Sequence, residues 1–430
     1  MLADALLVVR LDPMGVREAG RLYRAGLDVN RPLDPVVAAF LRAHMKGRPD
    51  PARAFVVDTV QGMWRRRRVL DAIAAELLAQ GSPEAPETAV WAALLLEGLR
   101  ALDLPLPPTQ SQRLQDVVVD VVARGSLAVR ASLPEWLCAR LVARGGEALA
   151  LSSTTAPPQT LRVNTLKIDR PGLVRALADV GVVVRACARS PVGVVVERRS
   201  NVFRTAAFRE GLFEVQDEGS QLVALLAGAR AGMRVVDGCA GAGGKTLALA
   251  AAMQNKGTLI ALDVHGGRLQ ALRERTARAG VHNVRVHDLD DDKKALKRLR
   301  NECDVVVVDA PCSGSGVLRR NPDTGWRLQE GDVSRLQGLQ TELLRRHAAL
   351  VKPGGHLVYA TCSLLDDENR HIVDAFLASD STFQLVPAHA RLAELGIALA
   401  AADVDDDVLA LDPVRHGTDG FFAAVLRRAT

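Results

Sequence analysis

Residues Val305 to Gly316 read VVVVDAPCSGSG, and this stretch constrains the fold more than any other. Four β-branched residues in a row suit a strand buried on both faces, as in a parallel sheet. Asp309 and Pro311 then end the strand in a loop of small and reactive residues. Open α/β sheets bind ligands beyond the C-terminal ends of their strands, so Asp309 and Cys312 stand where chemistry is expected. Taken alone, Asp-Ala-Pro-Cys more often marks a strand, a turn and a packed cysteine. The surrounding sequence has to separate the two readings.

From Gly232 onward, short β-branched runs alternate with amphipathic stretches. Strands are predicted at Arg234–Asp237, Leu259–Asp263, Val284–His287, Val305–Asp309 and His356–Ala360, with helices between them. This is an α/β pattern, a Rossmann-like doubly wound sheet over residues 231–430. Thr382–Pro387 and Gly420–Arg427 suit an antiparallel pair at one edge. Residues 1–145 read as an all-helical domain, with breaks at Gly47-Arg48-Pro49, Gly81-Ser82-Pro83 and Pro105 to Pro108. Between the two, residues 155–230 follow a linker-like SSTTAPPQ. Strands at Thr160–Ile168, Gly181–Val184 and Val192–Glu197 and a helix at Leu173–Val180 make a small α+β subdomain, joined by a helix to the last third.

A chain of 430 residues is too long for one core, and 48% hydrophobic with 24% charged residues describes globular protein rather than disorder. Its apolar runs are interrupted before about 18 residues, and the opening MLADALLVVRLDP is too short and too acidic for a signal peptide, so a cytoplasmic protein without a membrane partner is expected. The 6 cysteines are scattered with no C-x-x-C pair, which speaks against structural zinc, any other metal site and disulfides. A net charge of +5 is compatible with nucleic-acid binding. The run Arg65 to Arg68 is either a solvated helix face or a phosphate-binding patch.

Residues 237–246 read DGCAGAGGKT, a glycine-rich turn between the first strand of the sheet and its helix. A Walker A loop needs a glycine where Cys239 stands. A dinucleotide fingerprint needs a third glycine that is missing here. An acid at the strand end followed by G-x-G (Asp237, Gly241, Gly243) fits S-adenosylmethionine, a cofactor without phosphates. Gly241 and Gly243 allow close backbone approach, Asp237 attracts a positive amino or sulfonium end, Asp263 can accept ribose hydroxyls, and Asp288 can accept from an adenine amine.

A second cysteine, Cys362, follows another predicted strand end in ATCS. If those two strands are neighbours, Cys312 and Cys362 face one cleft. Two thiols beside a methyl donor suit methylation at carbon 5 of a cytosine. A thiolate adds to carbon 6, carbon 5 then takes the methyl group, and loss of its proton expels the thiol. Asp309 is placed to meet charge developing near ring nitrogen 3. These residues do not say which cysteine attacks.

The motifs LRVNTLK (161–167), FEVQDEGSQL (213–222), CAGAGGKT (239–246), DAPCSGSG (309–316), RRNPD (319–323), ATCS (360–363) and HGTDGFF (416–422) resemble those of the Sun/Fmu (RsmB-type) ribosomal RNA cytosine-5 methyltransferases, a group related to the NSUN proteins. The resemblance implies a class I S-adenosylmethionine-dependent fold, 16S rRNA as substrate and a monomer. It implies Cys362 as nucleophile and Cys312 as the thiol that assists product release. It places Cys239, Ala240, Gly241, Ala242, Gly243, Gly244 and Lys245 at the cofactor with Asp237, Asp263, Asp288 and Asp309. It also implies an RNA-binding role for Arg162 and Asn164, and the helical N-terminus resembles a NusB-like domain. Arg319 and Arg320 are candidates to hold the RNA backbone. The family usually has proline where this chain has Ala242, from which a looser turn is expected. The target cytosine has to leave its stack, which favours single-stranded or opened RNA. A tRNA cytosine-5 methyltransferase and a non-catalytic, antitermination-like RNA-binding protein are the competing readings. A nucleotide-dependent oxidoreductase lacks its glycine.

Overall fold

The computed structural model describes residues 13–27, 32–82, 86–292, 294–397, 399 and 407–430. The opening stretch considered as a signal peptide therefore lies, up to residue 12, outside the described residues. Helices at Pro13–Leu27, Leu33–His44, Asp50–Arg65, Arg67–Ala79, Pro86–Leu96, Pro108–Arg124 and Glu135–Ser152 build an all-α unit. Prolines in the first turns of Asp50–Arg65 and Pro108–Arg124 start these helices where a missing N–H has no partner to lose. Val16, Leu22, Val60, Met63, Ile73 and Leu114 are among the buried residues of its core.

The arginine run matches neither sequence expectation. Arg65 is 5% exposed and donates to the Arg319 carbonyl at 3.4 Å. Arg66 pairs with Glu97. The Arg67 guanidinium lies 5.1 Å from the Trp64 ring and 4.9 Å from the Trp326 ring. Arg68 donates to Glu135 at 2.6 Å. All four hold the helical unit together because the helix breaks at Arg66, which sends neighbouring side chains to different partners. Residues 317–330 cluster with this unit although they interrupt the second unit in sequence. Asp323, 6% exposed, accepts from the Leu33 amide at 3.2 Å and from Arg327 at 3.1 Å.

The second unit holds two sheets. The smaller is antiparallel, with β1 (Gln159–Val163), β2 (Val184–Ala186), β3 (Gly193–Val196) and β4 (Phe213–Val215) in the order β2-β3-β1-β4. β1 stops at Val163 rather than Ile168. Asn164 turns the chain there, its side chain accepting from Leu166 N and its carbonyl from Lys167 N and Ile168 N. β2 begins at Val184 rather than Gly181, because Gly181 at φ +76° still belongs to the turn that ends the preceding helix.

The larger sheet contains β5 (Arg234–Asp237), β6 (Thr258–Asp263), β7 (Val284–Asp288), β8 (Cys303–Asp309), β9 (Val351–Thr361), β10 (Phe383–Val386), β11 (Leu409–Leu411) and β12 (Phe421–Arg428). Its order is β10-β12-β9-β8-β5-β6-β7, with β11 beside β12. β5 to β9 pair in parallel, and β12 and β10 add the antiparallel edge expected from the sequence. The chain leaves β5 toward β6 and β7, then returns to the other side of β5 as β8. The order reverses at β5, so the loops after β5 and β8 diverge and open a crevice at their C-terminal ends. Among the described residues, no helix is long and apolar enough to cross a membrane.

Candidate active site

The register of β8 on β9 sets Asp309 opposite Ala360. Cys312 lies three residues past one strand partner and Cys362 two past the other, and their sulfurs are 3.3 Å apart. Each flank of each cysteine is tied down. Gly316 N donates to the Cys362 carbonyl at 2.9 Å and Gln340 to the Pro311 carbonyl at 3.0 Å. Asn369 donates to the Ser363 carbonyl at 2.9 Å and accepts from Thr361 at 2.5 Å. The Cys312 thiol is held well above the ordinary thiol pKa by its hydrogen bond with Cys362, by burial, and by the charges of Cys362 and Glu368.

Asp309 is in turn bonded to Lys245 at 2.6 Å, and the Lys245 ammonium also lies 5.6 Å from the Phe421 ring. Burial works against the Lys245 charge, but Asp309 and the sulfur of Cys362 outweigh it and leave the lysine pKa raised. A buried cation beside an acid and two thiols can stabilise negative charge on sulfur or on a ring held there.

The glycine loop between β5 and helix Gly244–Ala252 forms the other wall. Gly241 at φ +53° has open space where a Cβ would be, and Gly243 at φ +88° has Leu272 against it. Asp237 is 1% exposed; one oxygen accepts from Thr246 at 2.7 Å, and the other is buried with no hydrogen-bond partner of ordinary geometry. Burial first, and then the charge of Asp309, raise its pKa to about 6 against the pull of Thr246 and Lys245. Asp263 accepts from Gly241 N at 2.7 Å and from His265 N at 2.9 Å, which leaves each oxygen one further lone pair. Asp288 accepts from Asp290 N at 3.0 Å. Burial pushes the Cys239 thiol up, so it stays a neutral packing group. An orphaned carboxylate oxygen, an open glycine and two acids at successive strand ends fit a cofactor with a cationic end and a ribose.

Arg162 and Asn164 are brought elsewhere. Arg162 is 3% exposed and donates to Gln216 at 2.6 Å; burial lowers its pKa to about 10, with Glu214 opposing. Asn164, 5% exposed, donates to the carbonyls of Gly211 and Ala279, each at 2.8 Å. Arg319 is 5% exposed and Arg320 half-buried, both in the helical unit. Sequence reasoning did not find Glu368, Gln340 and Ser363 behind the cysteines, nor Arg275 behind the glycine loop. The one local hint was an acid shortly after ATCS, in LLDDEN.

The family described as 16S rRNA methyltransferase RsmB/F matches residues 224–427, and a ferredoxin-like domain of RsmF/B-like methyltransferases matches residues 133–203. A probable ribosomal RNA small subunit methyltransferase B of Synechocystis is 30% identical over 94% of this chain and 97% of that relative. The chain belongs to this family. Its counterpart in Bacillus subtilis, also described as probable, is 35% identical over 73% of the chain and 70% of that relative. The crystal structure of a methyltransferase homolog protein from Pyrococcus horikoshii is 29% identical and superposes with a TM-score of 0.59, covering 70% of this chain and 97% of that one. The RsmB/F chain is thus an S-adenosylmethionine-dependent rRNA methyltransferase of class I fold.

Proposed function

We propose that this RsmB/F methyltransferase modifies carbon 5 of a cytosine in 16S rRNA through a covalent cysteine adduct. The observation that carries the reading is the pair of sulfurs 3.3 Å apart beside the Lys245–Asp309 ion pair. Cys362, beside the Lys245 ammonium, attacks carbon 6 through its sulfur. The negative charge that this puts on the ring is met by the Lys245 ammonium, which Asp309 holds in place at 2.6 Å. S-adenosylmethionine, when bound, supplies the methyl group to carbon 5. Cys312, kept protonated, stays out of the attack; in the last step carbon 5 gives its proton to solvent, the carbon 6–sulfur bond breaks, and the Cys312 thiol assists by donating to the departing Cys362 sulfur. Asp237, Cys239 to Lys245, Asp263 and Asp288 hold the cofactor, with the orphaned Asp237 oxygen toward its cationic end. The restraint that a proline would give at Ala242 is supplied instead by Arg275, which donates to the Ala242 carbonyl at 2.7 Å.

The test is a denaturing gel of the purified chain with S-adenosylmethionine and its RNA. Cys312→Ala is expected to accumulate a covalent protein–RNA band and Cys362→Ala to give none; the reverse pattern overturns the assignment. Bisulfite sequencing with and without the gene identifies the target. Loss of one protected cytosine in 16S rRNA supports the substrate, and a change confined to tRNA replaces it.

A further inference from the structure

Glu368 has no part in the chemistry described so far, yet it is 0% exposed and lies just after the second cysteine loop. A fully buried carboxylate is destabilising unless several donors surround it. Here the donors come from both cysteine loops and from the helix behind them. Ser313, which follows Cys312, gives its amide at 2.8 Å to one oxygen and its hydroxyl at 2.5 Å to the other. Ser363, which follows Cys362, gives its hydroxyl to that second oxygen at 2.5 Å. Gln340, on helix Glu330–Ala348, reaches the first oxygen at 3.0 Å while also holding the Pro311 carbonyl. The Glu368 carbonyl accepts from Tyr359 at 2.6 Å, which fixes the turn itself to β9.

We propose that Glu368 is the positioning residue of the thiol pair: its carboxylate ties the residue after Cys312 to the residue after Cys362 and keeps a negative charge behind Cys312. The proposal rests on the two-cysteine reading above. Geometry and charge act together. One carboxylate bonded by both loops adds to their direct ties, Gly316 N to the Cys362 carbonyl at 2.9 Å and the Ser313 and Ser315 hydroxyls to Ser363 at 3.2 and 3.0 Å, in setting the separation of the sulfurs. Its charge, held on the amide of the residue after Cys312, helps to keep that thiol protonated.

Two substitutions separate the parts. In Glu368→Gln the amide oxygen can take the two N–H donors, and the amide nitrogen can face the two hydroxyls, which rotate to accept; the tie survives and the charge goes. In Glu368→Ala both go. Melting temperature and S-adenosylmethionine affinity are measured first on the full chain, to confirm that each variant folds. Cross-linking by diamide, which takes two hydrogens from two thiols and leaves a disulfide, is then followed by peptide mapping of Cys312–Cys362 without RNA. Glu368→Ala is expected to cross-link at least about tenfold more slowly than the wild type, and Glu368→Gln no more slowly than it. Alkylation of Cys312 is expected to move to lower pH in Glu368→Gln. A folded Glu368→Ala that cross-links at the wild-type rate overturns the proposal. So does an unmoved Cys312 alkylation profile in Glu368→Gln, which also serves if Glu368→Ala does not fold. The covalent RNA adduct is scored separately in the Cys312→Ala background. If no adduct forms there while the thiol readouts behave as expected, the two-cysteine reading fails and the tie between the loops stands.

Discussion

Arg275 bonds the Ala242 carbonyl at 2.7 Å, and its other nitrogens meet Glu214 at 2.9 and 3.2 Å. Glu214 sits on β4, opposite Arg162 in the small sheet, and is 4% exposed. The small sheet therefore holds the helix Gly266–Ala279, and that helix holds the glycine loop by its backbone. The side chain at position 242 matters little to this restraint. Arg275→Leu should weaken S-adenosylmethionine binding about tenfold, roughly the 1.4 kcal/mol of one lost hydrogen bond. Calorimetric titration measures it, and an unchanged affinity would show that the loop does not need Arg275.

Asp237 gives a pH dependence with a definite sign. Its folded pKa of about 6 lies above the ordinary 3.8, so the apo chain is stabilised by its protonated form below about pH 4 and loses that contribution as pH rises through 6. The full loss is on the order of 3 kcal/mol, from about two pKa units. Cofactor affinity should run the other way and fall below about pH 6, where the carboxyl no longer attracts a cation. Denaturant melts at pH 4.5 and 7 should show the stability difference in the wild type and a smaller one in Asp237→Asn. Equal differences in the two proteins would contradict it.

The arginine run makes a prediction about stability rather than RNA. Arg67 is sandwiched by Trp64 and Trp326, and two such contacts contribute about 1–2 kcal/mol. Arg67→Ala should lower the melting temperature and alter tryptophan fluorescence, with affinity for a single-stranded RNA oligonucleotide unchanged. Weakened RNA binding at an unchanged melting temperature would restore the patch reading.

The same contrast shows what the sequence could convey. The β-branched runs before Asp237, Asp263 and Asp309 announce buried strands, and the acids and glycines after them announce a ligand edge, because both signals are local. Arg162 is assigned to RNA only by the family resemblance, and Arg65 reads as an outward-facing cation because its residue type usually is one. What buries them is Glu214 and Gln216 for one and the Arg319 carbonyl for the other, partners supplied by distant sequence. Glu368 is hidden for the same reason: its donors Ser313 and Gln340 lie 55 and 28 residues away. The proximity of Cys312 and Cys362 was legible only on condition that β8 and β9 are neighbours, which periodicity does not decide.

Gly316 tests how finely the cysteine loops are set. Its amide holds the Cys362 carbonyl, and its own carbonyl accepts from Gly420 N at 2.8 Å. A Cβ there would stand 2.4 Å from the Gly420 carbonyl oxygen, so the backbone of one loop has to move. Misplacing a reacting group by about 1 Å can cost on the order of 100-fold in rate. Gly316→Ala is therefore expected to lose about that much methyl transfer while S-adenosylmethionine affinity, which depends on the loop after β5, stays within about threefold. Gly338→Ala, where a Cβ meets nothing within 4 Å, is the control and should keep full activity. Wild-type turnover in Gly316→Ala would mean that the loops tolerate the displacement and that close backbone contact at Gly420 does not set the thiols.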